Sequence, residues 1–118
     1  MAQINKEIYR SEIVVADNDT TNDLDIPLPA LGVDEGRSVL VNILNGCDAE
    51  VKVDFGNVEI FETEEVFVPF EEDVTIAAEA AIGKKVGVFP LGRKGRLVFT
   101  KAAGAGSGGT HRVIIRQA

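Results

Sequence analysis

Cys47 and His111 are the only cysteine and the only histidine in the chain, so any thiol–imidazole chemistry rests on these two residues. A nucleophile needs an activating base within hydrogen-bond reach. Cys47 follows Asn45-Gly46 and precedes Asp48. That is a turn context, and there the adjacent carboxylate raises the thiol pKa instead of lowering it. The pair therefore reads as a turn cysteine and a histidine at the entry to a strand. One Cys and one His also fall short of the four ligands of a structural zinc site. A lone cysteine cannot close an internal disulfide, so folding does not depend on an oxidising compartment.

Other motifs fail on their context. Gly104-Ala-Gly106-Ser-Gly108-Gly109 contains a formal GxGxxG, but a dinucleotide site needs a helix directly after it and an acidic residue about twenty positions on. Only nine residues follow Gly109, they read as strand, and no acid occurs after residue 81. Thr110 also stands where a phosphate loop requires lysine. The expectation is a glycine-rich inter-strand loop and no cofactor. Asp17-Asn-Asp19-Thr-Thr-Asn-Asp23-Leu-Asp25 alternates oxygen ligands like a calcium loop, but it has Asn22 at the central glycine and Leu28 at the bidentate glutamate. It reads as a solvated connector. The carboxylates of Glu62, Glu64, Glu65, Glu71, Glu72 and Asp73 could supply a glycosidase pair. With no Trp and one Tyr to stack on sugar, they read as a charged rim.

Charge is unevenly distributed. The 118 residues carry 19 acids and 12 bases, a formal net of −7. Residues 1–81 hold all 19 acids and four bases, a net of −15, while residues 82–118 hold eight bases and no acid, a net of +8. Arg93, Lys94 and Arg96, with Phe89 and Phe99 nearby, could grip phosphate. The −15 segment in the same small domain repels a polyanion, which argues against nucleic acid. The basic segment is expected to pair with the acidic one, within the chain or across a subunit boundary. Apolar runs of four to six residues are too short to span a membrane. The polar start, Met-Ala-Gln-Ile-Asn-Lys-Glu, lacks the apolar stretch of a secretory signal, so synthesis in the cytoplasm is expected.

The elements that must position these residues are strands. Runs rich in Val, Ile and Phe recur every 8–12 residues between Gly, Pro, Asn and Asp, the spacing of an all-β sandwich or barrel. A chain this long makes one domain. Strands are expected near 8–16, 24–28, 37–44, 49–55, 58–62, 66–70, 73–77, 85–91, 96–101 and 111–117. Ala77–Ile82 has helical composition. Residues 1–36, with Pro27 and Pro29, are expected to supply an extended arm and the first strands, and residues 37–118 the body. An odd-length loop centred on Gly46 pairs Val41 with Val51 and Val39 with Val53, keeping one face apolar. A two-residue Gly56-Asn57 turn then places Asp54 opposite Glu59, where like charges call for a cation nearby. That cation is a divalent metal, a basic partner surface, or water and salt. Gly92-Arg93-Lys94-Gly95 makes a cationic hairpin tip. The overall expectation is a single jelly-roll or Ig-like sandwich of about 8–10 short strands.

A short acidic chain with an arm such as Ala2–Asp25, a compact β body, glycine-rich loops and no catalytic set resembles the small β-sandwich decoration or cement proteins of tailed-phage heads. The resemblance implies a non-enzymatic homo-oligomer, a trimer among its forms, that binds the outside of a capsid lattice and stiffens it, with the virion as its final location. Its docking residues are expected to be Arg93, Lys94 and Arg96, with Asp54 and Glu59 as further contacts. The rival reading is an Ig-like or carbohydrate-binding module of a larger complex.

Overall fold

A computed structural model describes residues 7–16, 20–26, 39–86, 94–102 and 106–117. Its eight strands are β1 (Glu7–Val15), β2 (Thr21–Ile26), β3 (Val39–Leu44), β4 (Val51–Phe61), β5 (Glu64–Ile76), β6 (Ala81–Val86), β7 (Lys94–Lys101) and β8 (Gly109–Gln117). They form two four-stranded antiparallel sheets, in the orders β1-β8-β3-β6 and β2-β7-β4-β5. Among the described strands, only β4 and β5 are consecutive and paired in one sheet; each other pair of consecutive strands lies in different sheets. This order is that of a jelly roll. The all-β sandwich expected from the strand spacing is thus the architecture of the chain.

Alternation explains the core. Val39, Val41 and Ile43 from β3 and Val113 and Ile115 from β8 point inward from the first sheet. Val51, Val53, Phe55, Leu97 and Phe99 meet them from the second. Each fully buried side chain of this size contributes roughly 1.5–3 kcal/mol relative to exposure. The strands expected near 8–16 and 24–28 lie at residues 7–15 and 21–26, one in each sheet. The reason is physical: Tyr9, Ile13 and Leu24 pack on the core and Val15 and Ile26 are buried, so these stretches stay on the body.

Three local expectations are corrected. The β3–β4 hairpin does not exist, because β3 pairs with β6 and β8 while β4 pairs with β5 and β7. Their shared apolar face is the sandwich interior, where two sheets meet about 10 Å apart, and not a common ladder. Gly56-Asn57 is no turn either: β4 runs through it, as β5 runs through both strands expected at 66–70 and 73–77. Register shifts lie on either side of Phe55, and a Cβ at Gly56 would come within 2.7 Å of the Phe67 ring and the Pro69 Cα. The glycine admits a close strand approach beside a bulge. Ala77–Ile82 is not helical. Ala80 N–H donates to Ala77 O at 3.1 Å, Glu79 takes φ 57°, and β6 begins at Ala81. Hydrogen bonds from Glu79 N–H to Cys47 O (3.0 Å) and from Asn45 N–H to Ala80 O (2.9 Å) tie this turn to the 45–50 loop, so tertiary contacts override helix propensity.

Candidate functional site

Cys47 and His111 are neighbours. The Sγ lies 4.0 Å from His111 Nε2, and both residues are buried. Gly46 N–H donates to His111 Nδ1 at 3.2 Å, so Nδ1 is unprotonated and the imidazole proton sits on Nε2, aimed at sulfur. The ring stacks on Phe99 with centroids 4.7 Å apart. Burial pushes the Cys47 thiol up, with Asp48 adding to it and the Lys101 charge opposing. Burial and Lys101 push His111 down. Both groups are driven toward their neutral forms, whereas an activated thiolate needs the opposite. The pair is a packed interior contact.

His111 gives stability a pH dependence. Its folded pKa lies below that of the unfolded chain, so the unfolded state binds more protons as pH falls. The stabilisation is complete above the unfolded value of about 6.5 and is lost as pH drops below it. The urea midpoint is expected to fall between about pH 7 and pH 5. His111→Phe, which keeps the stack on Phe99, should remove that slope. An unchanged slope in H111F would place the titration elsewhere.

The residues expected to dock a partner occupy different surroundings. Arg93 lies outside the described residues. Lys94 and Arg96 are at the start of β7, which pairs with β2 and β4 and not with β6, so they do not form a hairpin tip. Asp25 receives Arg96 Nε at 2.6 Å and Lys94 Nζ at 3.1 Å, and Lys94 also reaches Glu65 at 3.5 Å. The Arg96 guanidinium, with Lys94, holds the Asp25 carboxyl below its ordinary value. Asp54 and Glu59 are five residues apart on one continuous strand, which separates them by about 16 Å and turns them to opposite faces. Asp54 accepts the Asp73 N–H at 2.8 Å, where Asp73 takes φ 58° in the β5 bulge. The geometry that would have held a metal between Asp54 and Glu59 is therefore absent.

Two surfaces stand out instead. The β4–β7 ladder ends at Val58 opposite Lys94, but β4–β5 pairing continues to Phe61 opposite Glu64. Among the described residues, Glu59–Phe61 and Glu64–Val66 pair only with each other, as a two-stranded ribbon about 10 Å long. Ile60 and Phe61 on it are 56% and 57% exposed, and Val68 and Phe70 further along β5 are also exposed. Glu62 and Glu64 flank the tip, with no cation partner among the described residues. The second surface is the outer face of the first sheet. Register aligns Arg10, Ile114, Asn42 and Gly83 in one row, and Glu12, Arg112, Leu44 and Ala81 in the next. Together they line a groove of about 660 Å³ with Leu44 and Ile114 in its floor. Gly83 leaves its β6 wall low, since a Cβ there would approach Asn42 Oδ1 to 3.0 Å.

Fold, and not function, connects the chain to known proteins. No protein-family model matches the sequence, and no curated protein sequence matches it significantly. Among solved structures, PirA superposes over 93% of this chain and 94% of its own, with a TM-score of 0.53 and 14% identity. An exo-beta-1,3-galactanase from Phanerochaete chrysosporium, solved with galactose, matches over 98% of this chain at a TM-score of 0.31 and 12% identity. Dimeric latent PorU from Porphyromonas gingivalis matches over 99% at 0.33 and 10%. The chain spans 29% of the galactanase and 13% of PorU. The likeness to PirA shows the sandwich fold; the other two superpose too loosely to carry an argument.

Of the docking residues expected from sequence, Glu59 alone lies on the ribbon, and none lines the groove. The ribbon had a signal: Glu59-Ile-Phe-Glu-Thr-Glu-Glu-Val-Phe-Val-Pro-Phe70 intersperses acids with large apolar residues. The acids read as a rim, and alternation along a strand leaves no mark of which strands lie beside it. The groove had none, since it depends on the register of β1, β8, β3 and β6.

Proposed function

We propose that the chain is a non-enzymatic assembly module that docks on a protein lattice, in the manner of the decoration proteins that cement tailed-phage heads. The observation that carries this reading is the β4–β5 ribbon, on which Ile60 and Phe61, on opposite faces, are each more than half exposed. Phe61 continues along its face to Val66 and Val68, and contiguous apolar surface rimmed by polar residues marks an interaction site. The carboxylates around it disfavour an anionic membrane or nucleic acid and favour a protein partner with basic residues. A carbohydrate-binding role has less support, since the groove on the first sheet offers Arg10, Asn42 and Arg112 but no aromatic ring for a sugar to stack on.

The test is co-sedimentation with empty heads assembled from the shell protein of the genome that encodes the chain. Wild type is expected to pellet with the heads, and the double variant Ile60→Asp/Phe61→Asp to bind at least about 30-fold more weakly, the loss expected when an interface anchor is removed. A genome without a shell protein, or heads that leave the wild-type chain in the supernatant, overturns the decoration reading.

A further inference from the structure

We infer that the groove on the outer face of the first sheet receives the β4–β5 ribbon of a second copy, so that copies join head to tail. The inference rests on the assembly reading above and supplies its partner.

The two surfaces are complementary in chemistry. The ribbon presents Phe61, with Val66 and Val68 along the same face, beside Glu62 and Glu64. The groove, which Glu12 also lines, presents Leu44 and Ile114 beneath Arg10 and Arg112, whose ion pairs with Glu7 and Glu12 are exposed and open to exchange. Lys85 lies on the same face, opposite Leu40, with no acid partner among the described residues. Apolar side chains can therefore meet apolar side chains while carboxylates meet bases at the edges. The groove, at about 660 Å³, falls in the range of cavities that enclose compact ligands, and a few side chains need no more room.

Topology makes the contact intermolecular. The ribbon extends the β2-β7-β4-β5 sheet, while the groove opens on the face of the β1-β8-β3-β6 sheet that points away from it. A ribbon cannot fold back through its own sandwich to reach that face. Contact between two ribbons is disfavoured by charge, because Glu62, Glu64, Glu71, Glu72 and Asp73 would oppose their own copies. Pro69 and the bulge at Asp73 also interrupt the free edge of β5. Joining two different surfaces is a heterologous contact, which closes into rings or propagates as a filament.

Two single-site variants test this. Phe61→Asp disables the ribbon and leaves the groove, whereas Gly83→Glu places a carboxylate in the groove and leaves the ribbon. Arg112→Glu, at a side chain 62% exposed, repeats the groove test if G83E fails to fold, which the urea midpoint reports. By sedimentation velocity up to about 200 µM, wild type is expected to associate and each variant to do so at least about 30-fold more weakly. An equimolar mixture of F61D and G83E should form a one-to-one dimer and nothing larger, since each supplies the half the other lacks. Association of G83E and R112E at wild-type strength would show ribbon–ribbon contact and overturn the inference. So would a mixture that stays monomeric. A wild-type chain that is monomeric yet pellets with heads also overturns it, while leaving the decoration reading standing.

Discussion

Replacing Gly46 by alanine is expected to remove about 4 kcal/mol or more of the protein's stability. A Cβ at position 46 would collide with the carbonyl oxygen of Thr110, with Thr110 C and N at 2.5 and 2.9 Å. The reciprocal contact is as tight: a Cβ on Gly109 would lie 2.7 Å from Gly46 C, having already struck its oxygen. These are backbone atoms at the start of β8, which is held between β1 and β3. No rotamer can relieve the overlap. Overpacking a core side chain costs about 1–3 kcal/mol, and backbone displacement on both sides raises this to about 4 kcal/mol or more. That is a large share of the roughly 5–15 kcal/mol holding a domain of this size together. Gly83→Ala provides the contrast. Its Cβ meets only the end of the Asn42 side chain at 3.0 Å, in an exposed position on edge strand β6. Asn42 can turn aside, and the lost chain entropy of glycine favours alanine by up to about 1 kcal/mol. Urea unfolding of the two variants should therefore differ by about 4 kcal/mol or more. A G46A protein within about 1 kcal/mol of wild type would mean the two backbones do not meet.

What the sequence made legible, and what it hid, follows from the range over which each signal acts. Alternation at Val39, Val41, Ile43 and at Val51, Val53, Phe55 identified the buried faces, because side-chain direction is a local property of a strand. It could not identify neighbours. The same pattern serves a hairpin or two strands facing each other across a sandwich, and only the packing of all eight strands selects the second. Glycine was ambiguous for a related reason. Gly56 serves a bulge and Gly46 a backbone crossing, yet both stand in dipeptides that favour turns, Gly-Asn and Asn-Gly.

The charge split was legible in outline. Asp25 with Lys94 and Arg96, Glu65 with Lys94, Glu71 with Lys84, Glu12 with Arg112 and Glu7 with Arg116 all join the acidic segment to the basic one within the chain. Interleaving strands from both segments in each sheet brings this about. These pairs are mostly exposed and individually contribute about 1 kcal/mol or less. Their larger consequence is that Lys94 and Arg96 are engaged within the chain, with Asp25 and Glu65.

Asn45 should have the second large effect, and with a distinctive pH dependence. Its side chain is fully buried. Nδ2 donates toward Ala49 O at 2.8 Å, Ala77 O at 3.1 Å and Ile76 O at 3.3 Å, while Oδ1 accepts the Cys47 N–H at 2.9 Å. One amide thus joins the 45–50 loop to the end of β5 and the turn after it. Asn45→Ala leaves the Cys47 N–H and several carbonyls unpaired around a small cavity, at a cost of about 2–4 kcal/mol. Asn45→Asp keeps the acceptor but turns a carboxylate toward three carbonyl oxygens, so the buried acid resists ionisation and its folded pKa rises above the unfolded value of about 3.9. The folded state then binds the extra proton, and stability falls as pH rises through and beyond about 4. At pH 7 the loss should reach about 4 kcal/mol, that of an uncompensated buried charge. Wild type, governed by His111, gains stability over pH 5–7, and because Asn45→Asp keeps His111 the two opposing contributions add, so its slope should be flatter than wild type's or reversed. Parallel slopes in urea titrations at pH 5, 6 and 7 would show that the Asn45 amide does not face those carbonyls.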